Sequence, residues 1–225
     1  MIQKIGFLLA CGLLTLGSMT WAASGSGHSL NFGLSLMSPT QKHVNSWIES
    51  LDKTGTKEVS AGYEFSLGYE YRFSGSIFSI LFRPSYFMQS ASGGGVKADL
   101  SGVTAFPMLR LYPLENNFIK FFMHMGLGYG SLTTKLENDS ASGTFDGSTF
   151  GAMAGLGAQF CFTPSHCAVV EGNARYLPIE RNTGSSSGTL GGDITQGRGE
   201  LELNGKDLGT SLSGIQGMLA YNLNF

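Results

Sequence analysis

The chain ends in a regular alternating segment that reads S-G-I-Q-G-M-L-A-Y-N-L-N-F from Ser213 to Phe225. One set of alternate positions holds Ile215, Gly217, Leu219, Tyr221, Leu223 and Phe225. The other set holds Gln216, Met218, Ala220, Asn222 and Asn224. Because the side-chain period of a strand is two, this pattern predicts a strand with one apolar face and one mostly polar face. Such a strand needs a partner on each edge and cover for its apolar face, and a closed barrel in a membrane supplies both.

The same alternation recurs upstream. The predicted strands before the last one are His28 to Met37, Val59 to Phe73, Ile77 to Gln89, Gly102 to Tyr112, Phe118 to Leu132, Ser148 to Phe162 and Cys167 to Ile179. In the cores of these strands no Asp, Glu, Lys or Arg falls on the apolar face. A lysine or arginine facing lipid at mid-depth costs ~2–4 kcal/mol, so this segregation indicates a lipid-exposed exterior.

Short and long connections alternate along the chain. The short ones are Ser74 to Ser76, Pro113 to Asn117 and Thr163 to His166, and longer loops follow strands one, three, five and seven. Short periplasmic turns and long extracellular loops are typical of bacterial outer-membrane barrels. The pattern predicts an eight-stranded antiparallel up-and-down transmembrane β-barrel with both termini on the periplasmic side. It also predicts loops Ser90 to Lys97, Lys135 to Gly147 and Asn182 to Thr210.

Composition excludes several other classes. Charged residues make up 13% of the chain, about half the share expected of a soluble protein. A mean hydropathy of +0.06 is far too low for a helical membrane protein. The net charge of −2 offers no electrostatic basis for binding nucleic acid.

The N-terminus has the layout of a secretory signal peptide. A short, positively charged start is followed by an apolar run from Ile5 to Leu16 and then by Thr20-Trp21-Ala22. The alternative is a membrane anchor, but the run is shorter than the ~20 residues that a spanning helix needs. We therefore expect residues 1–22 to be removed and residues 23–225 to form the barrel domain.

The chain resembles the small outer-membrane barrels of the OmpA-transmembrane-domain and OmpX type. The resemblance rests on the glycine-rich segments Met125 to Gly130 and Gly151 to Phe162 and on the ending Tyr221-x-Leu223-x-Phe225. That ending is similar to the signal by which the outer-membrane assembly machinery recognises its clients. The resemblance implies a location in the cell outer membrane, among its lipids and lipopolysaccharide. It implies no ligand.

Charged residues lie on the inward face of the predicted barrel. They are Glu64, Glu70, Arg72, Arg83, Arg110, Lys120, Glu171 and Arg175. The interior of an eight-stranded barrel is just wide enough for side chains to fill. Buried charges must pair and form hydrogen bonds, so we expect a salt-bridge network that plugs the barrel rather than a catalytic or conducting site.

One histidine and two cysteines also require interpretation. His124 lies at an inward-facing position of its predicted strand and lacks a neighbouring serine of the kind that lipid A deacylases carry. It is therefore predicted to be an interior histidine without a catalytic role.

Cys161 and Cys167 flank a turn, and an exported protein meets oxidants. A disulfide is therefore favoured over two unpaired thiols.

The segment Thr40 to Leu51 departs from the strand pattern. Val44, Trp47, Ile48 and Leu51 have the spacing of one helical face. This segment either lies on the outer leaflet, lids the barrel as an amphipathic helix, or simply packs its apolar residues on the rim.

Three functions are compatible with these features. The favoured one is a non-enzymatic outer-membrane barrel with a structural or surface-interaction role, no cofactor and no metal. The second is a narrow channel for small or hydrophobic solutes, as in OmpW-like barrels. The third is an enzyme that acts on outer-membrane lipid.

Overall fold

The computed structural model describes residues 27–139, 141–191, 194–197, 200–203 and 205–225. The predicted signal peptide, residues 1–22, lies outside these residues. The strands are β1 Gly27–Pro39, β2 Gly62–Arg72, β3 Phe78–Gly93, β4 Val96–Glu115, β5 Ile119–Asn138, β6 Ala141–Cys161, β7 His166–Tyr176, β8 Pro178–Ile179, β9 Thr183–Ser187, β10 Ile194–Gly197, β11 Glu200–Leu203, β12 Lys206–Asp207, β13 Thr210–Ser211 and β14 Gly214–Asn224. The single helix among the described residues, α1, runs over Lys42–Ser50.

Strands β1 to β7 and β14 form a closed ring. Each of the first seven pairs antiparallel with the next, β7 pairs with β14, and β14 pairs with β1. In the closing pair Leu30 lies opposite Leu223 and Leu34 lies opposite Leu219. The predicted eight-stranded antiparallel barrel is confirmed, and neither edge of the last strand is left open.

The outside of the ring carries a continuous apolar belt. On β3 it extends from Phe78 to Met88, and on β5 from Phe121 to Tyr129, with these four end residues between 39% and 45% exposed. Each stretch has about the 9–11 residues that a tilted strand needs to cross a hydrocarbon core. Above the belt the outward positions turn polar at once, beginning with Ser90, Ser101 and Ser131. The exterior therefore has the two zones that a membrane boundary requires.

Strands β3 to β6 continue well beyond the belt. The predicted loops Ser90 to Lys97 and Lys135 to Gly147 are wrong, because both segments are mostly the tips of strand hairpins. Inward residues of these strand extensions, among them Leu100, Leu132 and Phe145, are at most 1% exposed. Apolar residues at alternate, inward-facing positions give these tips a core of their own. The hydrogen-bonded strand pairing therefore extends further on this side of the ring than on the other.

The segment between β7 and β14 folds over the mouth of the barrel. The predicted loop Asn182 to Thr210 is corrected, because β9 to β12 lie within it and β9 pairs with the extended part of β6. Its apolar residues, with Leu190, Leu201 and Leu208 among them, join the core formed by the strand tips. We refer to α1, this segment and the strand tips together as the cap.

Helix α1 belongs to the same core. Val44 and Trp47 are 0% exposed and Ile48 is 3% exposed. The helix thus lids the barrel, with its apolar face turned into the cap and not toward lipid. No helix of the described ranges is both long and apolar enough to cross a membrane.

Candidate functional site in the barrel lumen

Four charged side chains form a cluster in the half of the lumen that lies away from the cap. Arg83 donates to both oxygens of Glu171, at 2.5 and 2.9 Å. Arg110 bridges the two carboxylates, with Nη1 2.8 Å from Glu70 and Nη2 3.3 Å from Glu171. All four side chains are at most 3% exposed. Two positive and two negative charges balance each other, as burial away from water requires.

The carboxylate of Glu70 is satisfied by two hydroxyl donors in addition to Arg110. Ser79 Oγ lies 2.5 Å and Tyr112 Oη 2.7 Å from Glu70 Oε1. Aromatic residues near the strand ends, Tyr112 among them, also predict an outward-facing aromatic girdle. This prediction is wrong for Tyr112, which is 4% exposed and faces inward. Tyr112 and Arg110 are two residues apart on β4, so their side chains point to the same face. This alternation could have placed Tyr112 in the lumen. The guanidinium of Arg110 also lies 4.1 Å from the ring centre of Phe122.

A second ion pair lies nearer the cap. Arg175 Nη1 is 2.5 Å from Glu64 Oε2, and both side chains are at most 3% exposed. Gln216 donates to the other oxygen of Glu64 at 3.0 Å, and the Nε of Arg175 donates to the carbonyl of Leu212 at 2.7 Å. The amide of Asn173 links the two layers, with Nδ2 2.8 Å from Glu171 Oε1 and 3.4 Å from Gln216 Oε1.

Two of the eight predicted charges are not brought into these layers. Arg72 lies at the end of β2 and pairs with Glu115 at 2.5 Å, with 22% of its side chain exposed. Lys120 is half-buried and lies opposite Glu115 across the β4–β5 pair. Both residues have inward parity, but they stand where the ring opens to solvent. Neither residue therefore belongs to the two buried layers, although the guanidinium of Arg72 lies 4.7 Å from the ring centre of Tyr112, which donates to Glu70.

His124 lies beside the charge cluster. Its Nε2 is 2.9 Å from Asn173 Oδ1 and 3.6 Å from Glu171 Oε1. Its Nδ1 is buried and has no partner among the described residues. Glycine at position 155 makes room for this contact, because a Cβ there would come within 2.8 Å of His124 Nε2. The contacts are those of a packed interior residue, and no serine is among them.

Toward the end of the barrel that holds the C-terminus, the lumen is lined by amides. Asn31, Gln159 and Asn222 are each 1% exposed. Both polar atoms of the Asn31 side chain and one oxygen each of Gln159 and Asn222 have no partner in the described part of the chain. Buried polar groups are nearly always hydrogen-bonded, so these atoms mark the part of the lumen best suited to hold ordered water.

A disulfide lies at the same end. Cys161 and Cys167 are bonded, and they lie opposite each other where β6 pairs with β7. The turn that they close receives the C-terminus: the backbone N–H of Asn224 donates to the carbonyl of Ser165 at 2.8 Å, and its side chain donates to the carbonyl of Pro164 at 3.0 Å. The predicted assembly signal, Tyr221, Leu223 and Phe225, thus forms the part of β14 next to this turn, with Tyr221 and Phe225 exposed on the outside.

Polar contacts attach helix α1 to the mouth of the barrel. The Nε2 of Gln41 donates to Ser211 O at 2.7 Å and to Gln89 Oε1 at 3.2 Å. The Oε1 of Gln41 accepts from the N–H of Ser211 at 3.1 Å. The ring of His43 accepts from the N–H of Gly209 at 2.9 Å. These contacts hold the lid to β3 and to the segment before β14, directly above the Glu64–Arg175 pair.

Comparison with known proteins supports the fold. No family model and no curated protein matches the chain. Among solved structures, a major outer membrane protein from Thermus thermophilus has a TM-score of 0.61 at 12% identity, covering 90% of this chain and 100% of that one. OprG from Pseudomonas aeruginosa has a TM-score of 0.58 at 14% identity, covering 90% and 98%.

A third structure is similar to a lesser degree. Ail, the attachment invasion locus protein of Yersinia pestis, in complex with the heparin analogue sucrose octasulfate, has a TM-score of 0.50 at 13% identity, covering 90% of this chain and 100% of that one. At identities this low the likeness concerns the fold alone. The chain shares the barrel fold of small bacterial outer-membrane proteins, which confirms the resemblance seen in its sequence.

Proposed function

We propose that this chain is an integral outer-membrane protein with a closed, non-enzymatic barrel that acts through its cap at the cell surface. One observation carries the proposal: two ion pairs cross the lumen at less than 4% exposure, Arg83–Glu171 between β3 and β7 and Glu64–Arg175 between β2 and β7. On the ring, β3 and β7 are diametrically placed, so the first pair spans the full width of the pore.

The apolar belt supports the membrane location. A soluble protein does not leave side chains such as Phe65, Met125 and Leu127 between 51% and 73% exposed on one continuous band. The short turns at one end and the cap at the other support an orientation with the termini in the periplasm. The surrounding outer-membrane lipids and the assembly machinery that reads Tyr221, Leu223 and Phe225 are the partners of this proposal.

The layers above the charge cluster support closure of the lumen. Phe106, Met108, Met153 and Met218 are at most 3% exposed and point inward. Above them lies the core of the cap, sealed by Val44, Trp47 and Ile48. A solute that crossed the barrel would have to break two buried ion pairs and displace the lid.

A narrow channel is the second candidate, and one observation favours it. The unpartnered amide atoms of Asn31, Gln159 and Asn222 suit a hydrated lower lumen. A conducting path would still need an opening through the charge cluster and the cap. An enzyme that acts on outer-membrane lipid is not favoured, because the contacts of His124 are those of a packed residue.

Recording of single channels in planar bilayers tests closure. The purified protein is expected to insert without producing reproducible open steps. The double variant W47A/E64A weakens the packing of the lid and removes one ion pair of the lumen. It serves as a comparison in which the barrel is expected to conduct more readily. Regular steps from the unmodified protein would contradict the closed barrel and support the channel. Mass spectrometry of lipid A from cells with and without the protein tests the enzymatic alternative.

A further inference from the structure

The strand tips above the belt form a one-sided wall whose outer face is unusually uniform. Its outward-facing residues lie in the segments 90–92, 97–101, 131–137, 142–148 and 183–187 of β3, β4, β5, β6 and β9. Every one of these outward side chains is Ser, Thr, Lys, Asp or Glu, and each is exposed or half-buried. The inward side of the same segments is packed against the core of the cap. We call this outward surface the polar wall.

The polar wall is continuous with the apolar belt. On β5 the belt ends at Tyr129 and the wall begins at Ser131, and on β6 the belt ends at Phe150 and the wall begins at Ser148. A lipid whose chains lie on the belt must therefore place its head group against the wall. Strands β1, β2, β7 and β14 have no such extension, so this surface exists on one side of the barrel only.

The chemistry of the polar wall suits sugars and phosphates. Hydroxyl groups can both donate and accept, as a saccharide requires. Lys97 and Lys135 supply positive charge, and Lys135 makes no ion pair within the described residues, although it lies opposite Asp99. Lys97 is 2.5 Å from Asp99, Thr133 donates to Asp146 at 2.5 Å, and Ser90 donates to Asp99 at 2.5 Å. The third carboxylate of the wall, Glu137, lies opposite Lys97 on the neighbouring strand. Each of the three carboxylates therefore has a hydroxyl or ammonium group beside it, which limits its repulsion of an anionic lipid.

We propose that the polar wall binds the saccharide-phosphate head group of the outer-leaflet glycolipid, lipopolysaccharide. This inference rests on the outer-membrane location given under the proposed function. A protein partner is less well supported, because the wall offers no aromatic or arginine side chain of the kind that anchors protein interfaces. The hydroxyl groups near the belt bind the inner sugars, and the two lysines bind their phosphates.

Lysine acylation in nanodiscs tests the proposal on the unmodified mature chain. The protein is placed in discs of phosphatidylcholine, of phosphatidylglycerol or of rough lipopolysaccharide, and the reaction of each lysine with a water-soluble amine reagent is followed by mass spectrometry. Lys97 and Lys135 are expected to react about threefold or more slowly in lipopolysaccharide only, because an amine in a charge-assisted contact is not free to react. Lys42 and Lys206, exposed on the cap, serve as internal controls.

Each other outcome overturns the proposal. Unchanged rates at Lys97 and Lys135 would show that no head group binds there. Equal protection of all four lysines would indicate general shielding by the disc, and equal protection in phosphatidylglycerol would show that the sugar is not recognised. The variant K97A/K135A should retain less lipopolysaccharide after detergent extraction than K42A/K206A. Equal retention by the two variants would contradict binding of the head group by the polar wall. A chain that fails to insert into any disc would instead overturn the proposed membrane location.

Discussion

Arg83 on β3 forms a two-pronged ion pair with Glu171 on β7, with N–O distances of 2.5 and 2.9 Å, across the full width of the barrel. Glu171 also accepts from Arg110 and from Asn173. The same carboxylate therefore joins β3, β4 and β7, so the cluster braces the ring from inside as well as closing it.

Removal of this carboxylate should be strongly destabilising. Glu171→Ala leaves Arg83 and Arg110 with less compensation in a dry interior, and we expect the free energy of unfolding to fall by about 3–5 kcal/mol. Urea titration of the folded protein in micelles measures the change. Glu49→Ala, which alters an exposed glutamate on α1, is the matched control and should be nearly neutral. A variant E171A as stable as E49A would contradict the bracing role.

The space kept by Gly155 should matter for the contact between His124 and Asn173. A methyl group at position 155 would collide first with Asn173 Oδ1, and would also meet the carbonyl of Gly172 at 2.7 Å and His124 Nε2 at 2.8 Å. Gly155→Ala is therefore expected to cost about 1–3 kcal/mol of stability. At Gly172 a Cβ would meet nothing within 4 Å, so Gly172→Ala is the control. Equal unfolding curves for the two variants would show that the space left by Gly155 does not matter for stability.

The lid should depend on Trp47. Trp47→Ala leaves a cavity in the core of the cap, and the expected loss is about 3–5 kcal/mol for the unit that unfolds with it. The segment after α1 should then become accessible to trypsin at Lys53 and Lys57, which limited proteolysis with mass spectrometry detects. Glu49→Ala on the same helix should leave cleavage unchanged. Resistance of W47A to trypsin would mean that the lid is held by its polar contacts alone.

Deletion of Phe225 should affect assembly more than stability. The side chain is 52% exposed, so the deletion removes little packing and two terminal backbone hydrogen bonds to His28, whereas the predicted assembly signal loses its last residue. Cells that produce the deletion variant are expected to accumulate unfolded protein, seen by the altered gel mobility of unheated samples. Phe162→Ala, the control, removes another aromatic side chain that is 75% exposed, and this variant should assemble normally. Efficient assembly of the deletion variant would contradict the assignment of Phe225 to the assembly signal.

The disulfide should stabilise the turn that receives the C-terminus. Closing the short loop between Cys161 and Cys167 is worth about 2 kcal/mol in the chain-entropy model. We expect a reductant to lower the urea midpoint of the native protein and to leave that of C161S/C167S unchanged. An equal response of both proteins would mean that the reductant acts elsewhere.

The sequence alone determined the eight strands of the ring, its closure and its outward face, because every second residue of a membrane-spanning strand faces lipid and must be apolar. It also placed Glu64, Glu70, Arg83, Arg110, Glu171 and Arg175 in the lumen by parity. A surface helix was readable from the spacing of Val44, Trp47 and Ile48. Parity could have placed Tyr112 as well, since it shares the face of Arg110.

Only the tertiary structure decided which groups meet. Parity says that Arg83 faces inward but not that Glu171 lies opposite, because partners across a lumen depend on the order and stagger of the strands around the ring. The same stagger places Arg72 and Lys120 at the open end instead of in the network. The height of the wall also depends on tertiary contacts, since polar hairpin tips become strands only where the cap buries their inner face.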